Sequence, residues 1–97
     1  MTQIEIKDYL EHYHERKAVA EYKKRQGLVH DRTLVCMSAI EECVNGMPSD
    51  MGDILKMHYL QKVSLREMSK KFYLGRTAIA RRRDKAITVL ADCLKEI

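Results

Sequence analysis

The chain has no tryptophan, one phenylalanine, one proline and only four glycines in 97 residues. So few breakers argue against an all-β fold, which needs a turn signal every few residues. No run of about 18 apolar residues occurs, so no segment is fit to span a bilayer. The opening MTQIEIKDYLEHYHERK is too polar for a secretory signal, and the expected location is the cytoplasm. Cys36, Cys43 and Cys93 are odd in number and lack C-x-x-C spacing. Each falls in an apolar helical pattern, so they read as reduced core residues. A zinc site would need a ligand spacing that they do not show.

What is present is ordinary for a helical globular chain: 45% hydrophobic and 33% charged residues. This length makes one domain, or one domain with an appendage. The net charge of +4 is unevenly spread. Residues 1–63 carry nine Lys/Arg against ten Asp/Glu, whereas residues 64–97 carry nine against four. The basic excess therefore lies wholly in the last third, which points to a polyanionic partner for that part.

The periodicity predicts an all-α fold of about five helices. Thr2 caps a long first helix to about Gln26, with Gly27 as its stop. Ile6, Tyr9, Leu10, Tyr13 and Ala20 share one narrow stripe on it, interrupted by Lys17. Such a helix needs a partner surface, and residues 1–27 are read as a dimer or partner element beside a helical domain over 28–97. Asp31 caps a second helix over Arg32–Asn45, with Met37, Ile40, Val44 and Met47 as its apolar face and Asn45-Gly46 as its stop. Ser49 or Asp50 caps a third helix to about Leu60, placing Met51, Ile54, Leu55 and His58 inward. The methionine-rich middle reads as core filler, the alternative being an adaptable protein-binding surface.

Ser64-Leu65-Arg66-Glu67 fits the capping box S-x-x-E, with Ser64 and Glu67 exchanging hydrogen bonds. Leu65, Met68 and Phe72 face inward on this fourth helix; Arg66, Lys70 and Lys71 face outward. Tyr73-Leu74-Gly75 is a turn. A fifth helix runs from Arg76 to the C-terminus with Ile79, Ala86, Leu90, Cys93 and Ile97 on its core face. A short capped helix, a tight turn and a basic second helix are the layout of a helix-turn-helix, here spanning residues 64–90.

A helix that enters the major groove needs small or polar residues at its outward N-terminal positions. Thr77 and Ala80 meet that need. Arg81 has the forked guanidinium suited to guanine O6 and N7, and Arg76 reaches a base or a phosphate. Arg82, Arg83 and Lys85 diverge around the helix toward backbone phosphates, joined by Ser64, Arg66, Lys70 and Lys71 of the preceding helix. The competing reading is that Arg81-Arg82-Arg83 is a solvated face, ion-paired to Asp84 and neighbouring acids.

The stretch Ile54 to Leu94 resembles the fourth, promoter-reading region of bacterial sigma factors. The matching residues are Ile54, Leu55, Met57 and Tyr59, then Ser64, Glu67, Met68 and Ser69, then Ala78, Ile79, Arg81 to Arg83 and Ala86. It is similar in particular to small phage and prophage transcriptional regulators of the ArpU type. The resemblance covers under half of the chain. It implies a DNA-binding transcription factor that works beside bacterial RNA polymerase. Ser69 and Tyr73 stand where that family has a small residue and a glycine, and Gly75 where it has a capping serine. Tyr73 is therefore expected to pack over the turn. The promoter-melting region of a sigma factor is absent.

Other chemistry finds little support. His12 and His14, at i and i+2 of a helix, point to different sides and cannot share a metal ion. No nucleophile–base pair, phosphate-binding glycine loop or paired inward carboxylates emerge, so neither an enzyme, a metal nor a cofactor is expected. One helix-turn-helix reads only a few base pairs, at about 1–3 kcal/mol per bidentate contact. A second reader is needed, and the sequence leaves two routes open: a homodimer on a palindrome, or docking beside polymerase. Two further readings stand beside DNA recognition of that kind: a polymerase- or sigma-binding protein without its own readout, and a small DNA-recognition subunit of a phage packaging machine.

Overall fold

A computed structural model describes residues 1–97, and it is all-helical. Six α-helices occur: α1 Gln3–Glu11, α2 Tyr13–Arg25, α3 Arg32–Gly46, α4 Ser49–Leu55, α5 Leu65–Phe72 and α6 Arg76–Cys93. A π-helical turn, Lys56–Leu60, prolongs α4. None of the helices is long and apolar enough to cross a membrane.

The expected single N-terminal helix is two helices, broken at His12, whose backbone leaves the helical region at φ −109° and ψ 32°. Neither glycine nor proline marks the break. Its cause is tertiary. A straight helix over these residues would run about 35 Å. Bent at His12, α1 lies on α6 while α2 lies on α3. Ile6, Tyr9, Leu10 and Ala20 are all buried in this way. The stripe is thus covered by the chain itself, and it no longer argues for a dimer. Nor does the packing divide at residue 27: Ile6 and Leu10 belong to one cluster with Cys36, Met37, Ile40, Val44, Leu55, Ala86, Ile87 and Leu90.

A second, smaller cluster unites Ile54, Met68 and Ile79, with Met57, Val63, Leu65, Phe72 and Leu74 packed around it. It holds α4, α5 and the start of α6 together as a tip. Two helices thread both clusters. On α4, Ile54 faces the tip and Leu55 the body; on α6, Ile79 faces the tip and Ala86, Ile87 and Leu90 the body.

Caps and ties explain the rest. Thr2 and Glu5 form a full capping box at α1, and Asp31 accepts from the Thr33 and Leu34 amides at α3. Pro48, not Ser49 or Asp50, takes the N-cap position of α4. Gly52 approaches α3 so closely that a Cβ there would stand 3.0 Å from the Val44 carbonyl oxygen. Lys17 donates to Glu41 at 2.7 Å and ties α2 to α3, while Arg32 donates to Glu5 at 2.9 Å and ties α3 to α1. His14 donates through Nε2 to the Leu60 carbonyl at 2.8 Å, joining α2 to the π-helical turn. Of the expected core face of α6, Cys93 and Ile97 are exposed, because the helix ends at Cys93; Ile87 and Leu94 are buried instead.

Candidate nucleic-acid interface

The tip begins where the chain leaves the π-helical turn. Lys62 takes a left-handed conformation, φ 56°, and resets the chain direction. Ser64 then caps α5 by accepting from the Glu67 amide at 3.2 Å. The reciprocal half of the expected capping box, from Glu67 back to the Ser64 amide, is not formed. Met68 on α5 is fully buried against Ile54 and Ile79, which fixes the angle between the two helices of the motif. Arg66, Lys70 and Lys71 are thereby left on the open side of α5.

The turn differs from expectation. Tyr73 adopts the left-handed conformation, φ 56° and ψ 36°, that a glycine usually supplies at this place. Its amide bonds to the Ser69 carbonyl, and the Ser69 hydroxyl donates to the Leu74 carbonyl across the turn. The ring does not pack over the turn: Tyr73 is 94% exposed. A left-handed aromatic residue is strained, and here the three-residue connection forces it. The sequence pattern predicts a packed ring at Tyr73 and carries no sign of this solvated aromatic between the two helices.

Gly75 precedes α6 with extended backbone and offers no capping side chain. Buried Ile79 then sets the rotation of α6. At 100° per residue, Thr77, Arg81, Lys85 and Thr88 fall opposite the buried Ile79, Ala86 and Leu90. Arg76, Thr77, Arg81, Arg82 and Lys85 are all exposed, and Ala80 is half-buried at the edge of the open face.

Arg83 behaves differently from its two neighbours. It lies four residues from both Ile79 and Ile87, on the inward side of α6. Its side chain is 23% exposed. Its Nε donates to the Asp84 carboxylate at 3.1 Å, and its Nη1 stands 3.5 Å from His58 Nε2. His58 donates through Nδ1 to the Val63 carbonyl at 3.1 Å, which leaves Nε2 as the acceptor facing Arg83. The Arg83 side chain, expected to diverge toward a phosphate, is instead turned toward His58 of the π-helical turn. It braces α6 against the π-helical turn, in a cleft of about 330 Å³ lined also by Lys7, Glu11, Tyr59 and Lys62. Burial holds the Tyr59 phenol of that cleft above its ordinary pKa.

The electrostatic contrast follows. The ion-paired alternative for the arginine run holds only for Arg83, which has Asp84. Arg66, Lys70, Lys71, Arg76, Arg81, Arg82 and Lys85 have no acidic partner within 4.0 Å. Elsewhere Arg16, Lys17, Lys23 and Arg32 each have one, whereas Lys7, Lys24, Arg25, Lys56, Lys62 and Lys95, scattered over the rest of the chain, have none. The histidines of the N-terminal segment point apart: His12 lies 3.7 Å from Asp8, and His14 is bound to Leu60. Comparison with known proteins finds no matching family model, no matching curated protein and no matching solved structure.

Proposed function

We propose that this chain is a sequence-specific regulator of transcription that binds double-stranded DNA through α5 and α6, of the phage or prophage kind that its sigma-like segment resembles. The observation that carries the reading is the set of seven exposed, unpaired cations around one helix-turn-helix. Held without counter-charges, they repel one another, and a phosphate backbone relieves that repulsion. In this reading Arg81, with Arg76, Thr77 and Ala80, faces base edges. Arg66, Lys70, Lys71, Arg82 and Lys85 meet phosphates, with the Ser64 end of α5 beside them. Tyr73 joins the set as an exposed contact at the turn. Because one such motif reads few base pairs, a second copy of the chain or RNA polymerase supplies the remaining specificity.

Selection of bound sequences from a random duplex pool tests the proposal. Enrichment of a palindrome supports paired copies, and enrichment of a single half-site supports a lone reader beside polymerase. Binding that enriches nothing sinks the sequence-specific reading and leaves a protein-contact role.

A further inference from the structure

The cleft between α1, the π-helical turn and α6 holds more charge than the Arg83 brace uses. Its volume is about 330 Å³, and five of its seven lining residues carry a formal charge. Asp84 is taken up by Arg83, and His58 is engaged at both ring nitrogens. Lys7, Glu11 and Lys62 are not taken up: all three are exposed, and none has an oppositely charged partner within 4.0 Å. Lys7 and Glu11 are four residues apart on α1, the spacing at which opposite charges meet on a helix, yet they stay open toward the cleft. Arg83 bonds through Nε and Nη1 and keeps Nη2 free. Two backbone features mark the same place. The wall that carries His58 and Tyr59 is a π-helical turn, a form that gathers at functional sites. Lys62 then holds the left-handed conformation, which is strained for a lysine. It is fixed there by the Gln61 amide on the Lys56 carbonyl at 2.9 Å and the Val63 amide on the Met57 carbonyl at 2.8 Å. The strained residue thus delivers an unpaired ammonium to the cleft.

We propose that this cleft binds a small phosphate monoester that carries free hydroxyl groups, the sugar-phosphate class. Its volume suits a ligand of that size. Lys7 from α1 and Lys62 from the end of the π-helical turn meet the phosphate as point charges, and Arg83 Nη2 donates to it. The half-buried Tyr59 ring supplies the apolar wall. Glu11 decides the class. A bare anion in the cleft meets the repulsion of this carboxylate, whereas a ligand with hydroxyl groups donates to it and turns repulsion into a hydrogen bond. The DNA backbone, a phosphate diester without free hydroxyls, does not answer that chemistry. The bound ligand ties α1 of the body to the base of the tip. This inference does not depend on DNA binding.

The test titrates the full chain with ribose 5-phosphate and follows the ring NMR signals of His58 and Tyr59, both on the wall of the cleft. Both rings should shift saturably. Inorganic phosphate should bind about tenfold more weakly, and ribose alone should leave the rings unmoved. Lys62→Gly removes the ammonium and suits the left-handed backbone, so the chain stays folded while affinity for the sugar phosphate falls about tenfold or more. Glu11→Ala should bring inorganic phosphate and the sugar phosphate to equal affinity. Rings that do not shift, or that shift equally in Lys62→Gly, would overturn the proposal. So would equal affinity of the two phosphates for the wild type, or shifts confined to amides near Lys70 and Arg81 of the tip.

Discussion

The body and the tip differ in how much they bury and in how closely their unpaired cations are gathered. The body gathers fourteen buried residues into one cluster, and ion pairs such as Lys17–Glu41 and Arg32–Glu5 tie its helices together. The tip buries three residues, and of the cations around it only Arg83 has an acidic partner. A region with little apolar burial and unrelieved like charge is the first to open locally. The same features make it the region with most to gain from a polyanion. The contrast separates what stabilises this chain from what it offers to a partner.

The sharpest way to break that contrast is to empty one residue from each cluster. Leu90→Ala and Met68→Ala both remove a fully buried side chain and should each cost about 2–5 kcal/mol. Leu90→Ala should lower the single unfolding transition of the whole chain. Met68→Ala should leave α1, α2 and α3 protected in hydrogen exchange while α5 exchanges freely. If both variants unfold α3 and α5 together, body and tip are one cooperative unit.

Within the tip, Arg81→Ala should cost about 1–3 kcal/mol of affinity for a selected duplex and relax preference at one base position. Tyr73→Gly removes left-handed strain and should stabilise the tip by about 1 kcal/mol. An accompanying loss of DNA affinity would assign the exposed ring to the interface. Unchanged affinity would make it a turn residue only.

The smallest effect concerns the body's carboxylates. The Arg32 guanidinium holds Glu5, and Lys23 holds Asp31, below their ordinary pKa values. A carboxyl whose folded pKa is lowered adds stability above its unfolded pKa and loses it as pH falls through the folded value. Acid titration should therefore weaken the body, and Asp31→Asn should flatten that dependence. An Asp31→Asn chain with an unchanged acid limb would refute the assignment.

Much of this was legible from residue order. The Ser64 cap, the inward Leu65, Met68 and Phe72, the turn, and Ile79 on α6 all follow from 3.6-residue spacing, because local periodicity fixes which side of a helix faces the core. Three features were not, and each depends on contacts far along the chain. The break at His12 arises from packing on α6 and α3, which no turn residue advertises. Arg83 sits in an arginine run, and only the Ile79–Ile87 register and the position of His58 turn it inward. Tyr73 looked like a packing aromatic because glycine usually fills its conformation; the geometry of the short connection overrode that preference.

Arg82 and Arg83 are neighbours in sequence with the same side chain, yet Arg82 is exposed and unpaired while Arg83 is turned inward beside His58 and Asp84. The most direct test is the salt dependence of binding to a selected duplex, measured for the wild type, Arg82→Ala and Arg83→Ala. Five phosphate-facing cations should give a wild-type slope of log K against log salt of roughly −3 to −5. Arg82→Ala should reduce its magnitude by about one, and Arg83→Ala should leave it unchanged while lowering Tm. A wild-type slope near zero, or equal loss of slope in both variants, would contradict the tip as the DNA-binding surface described above.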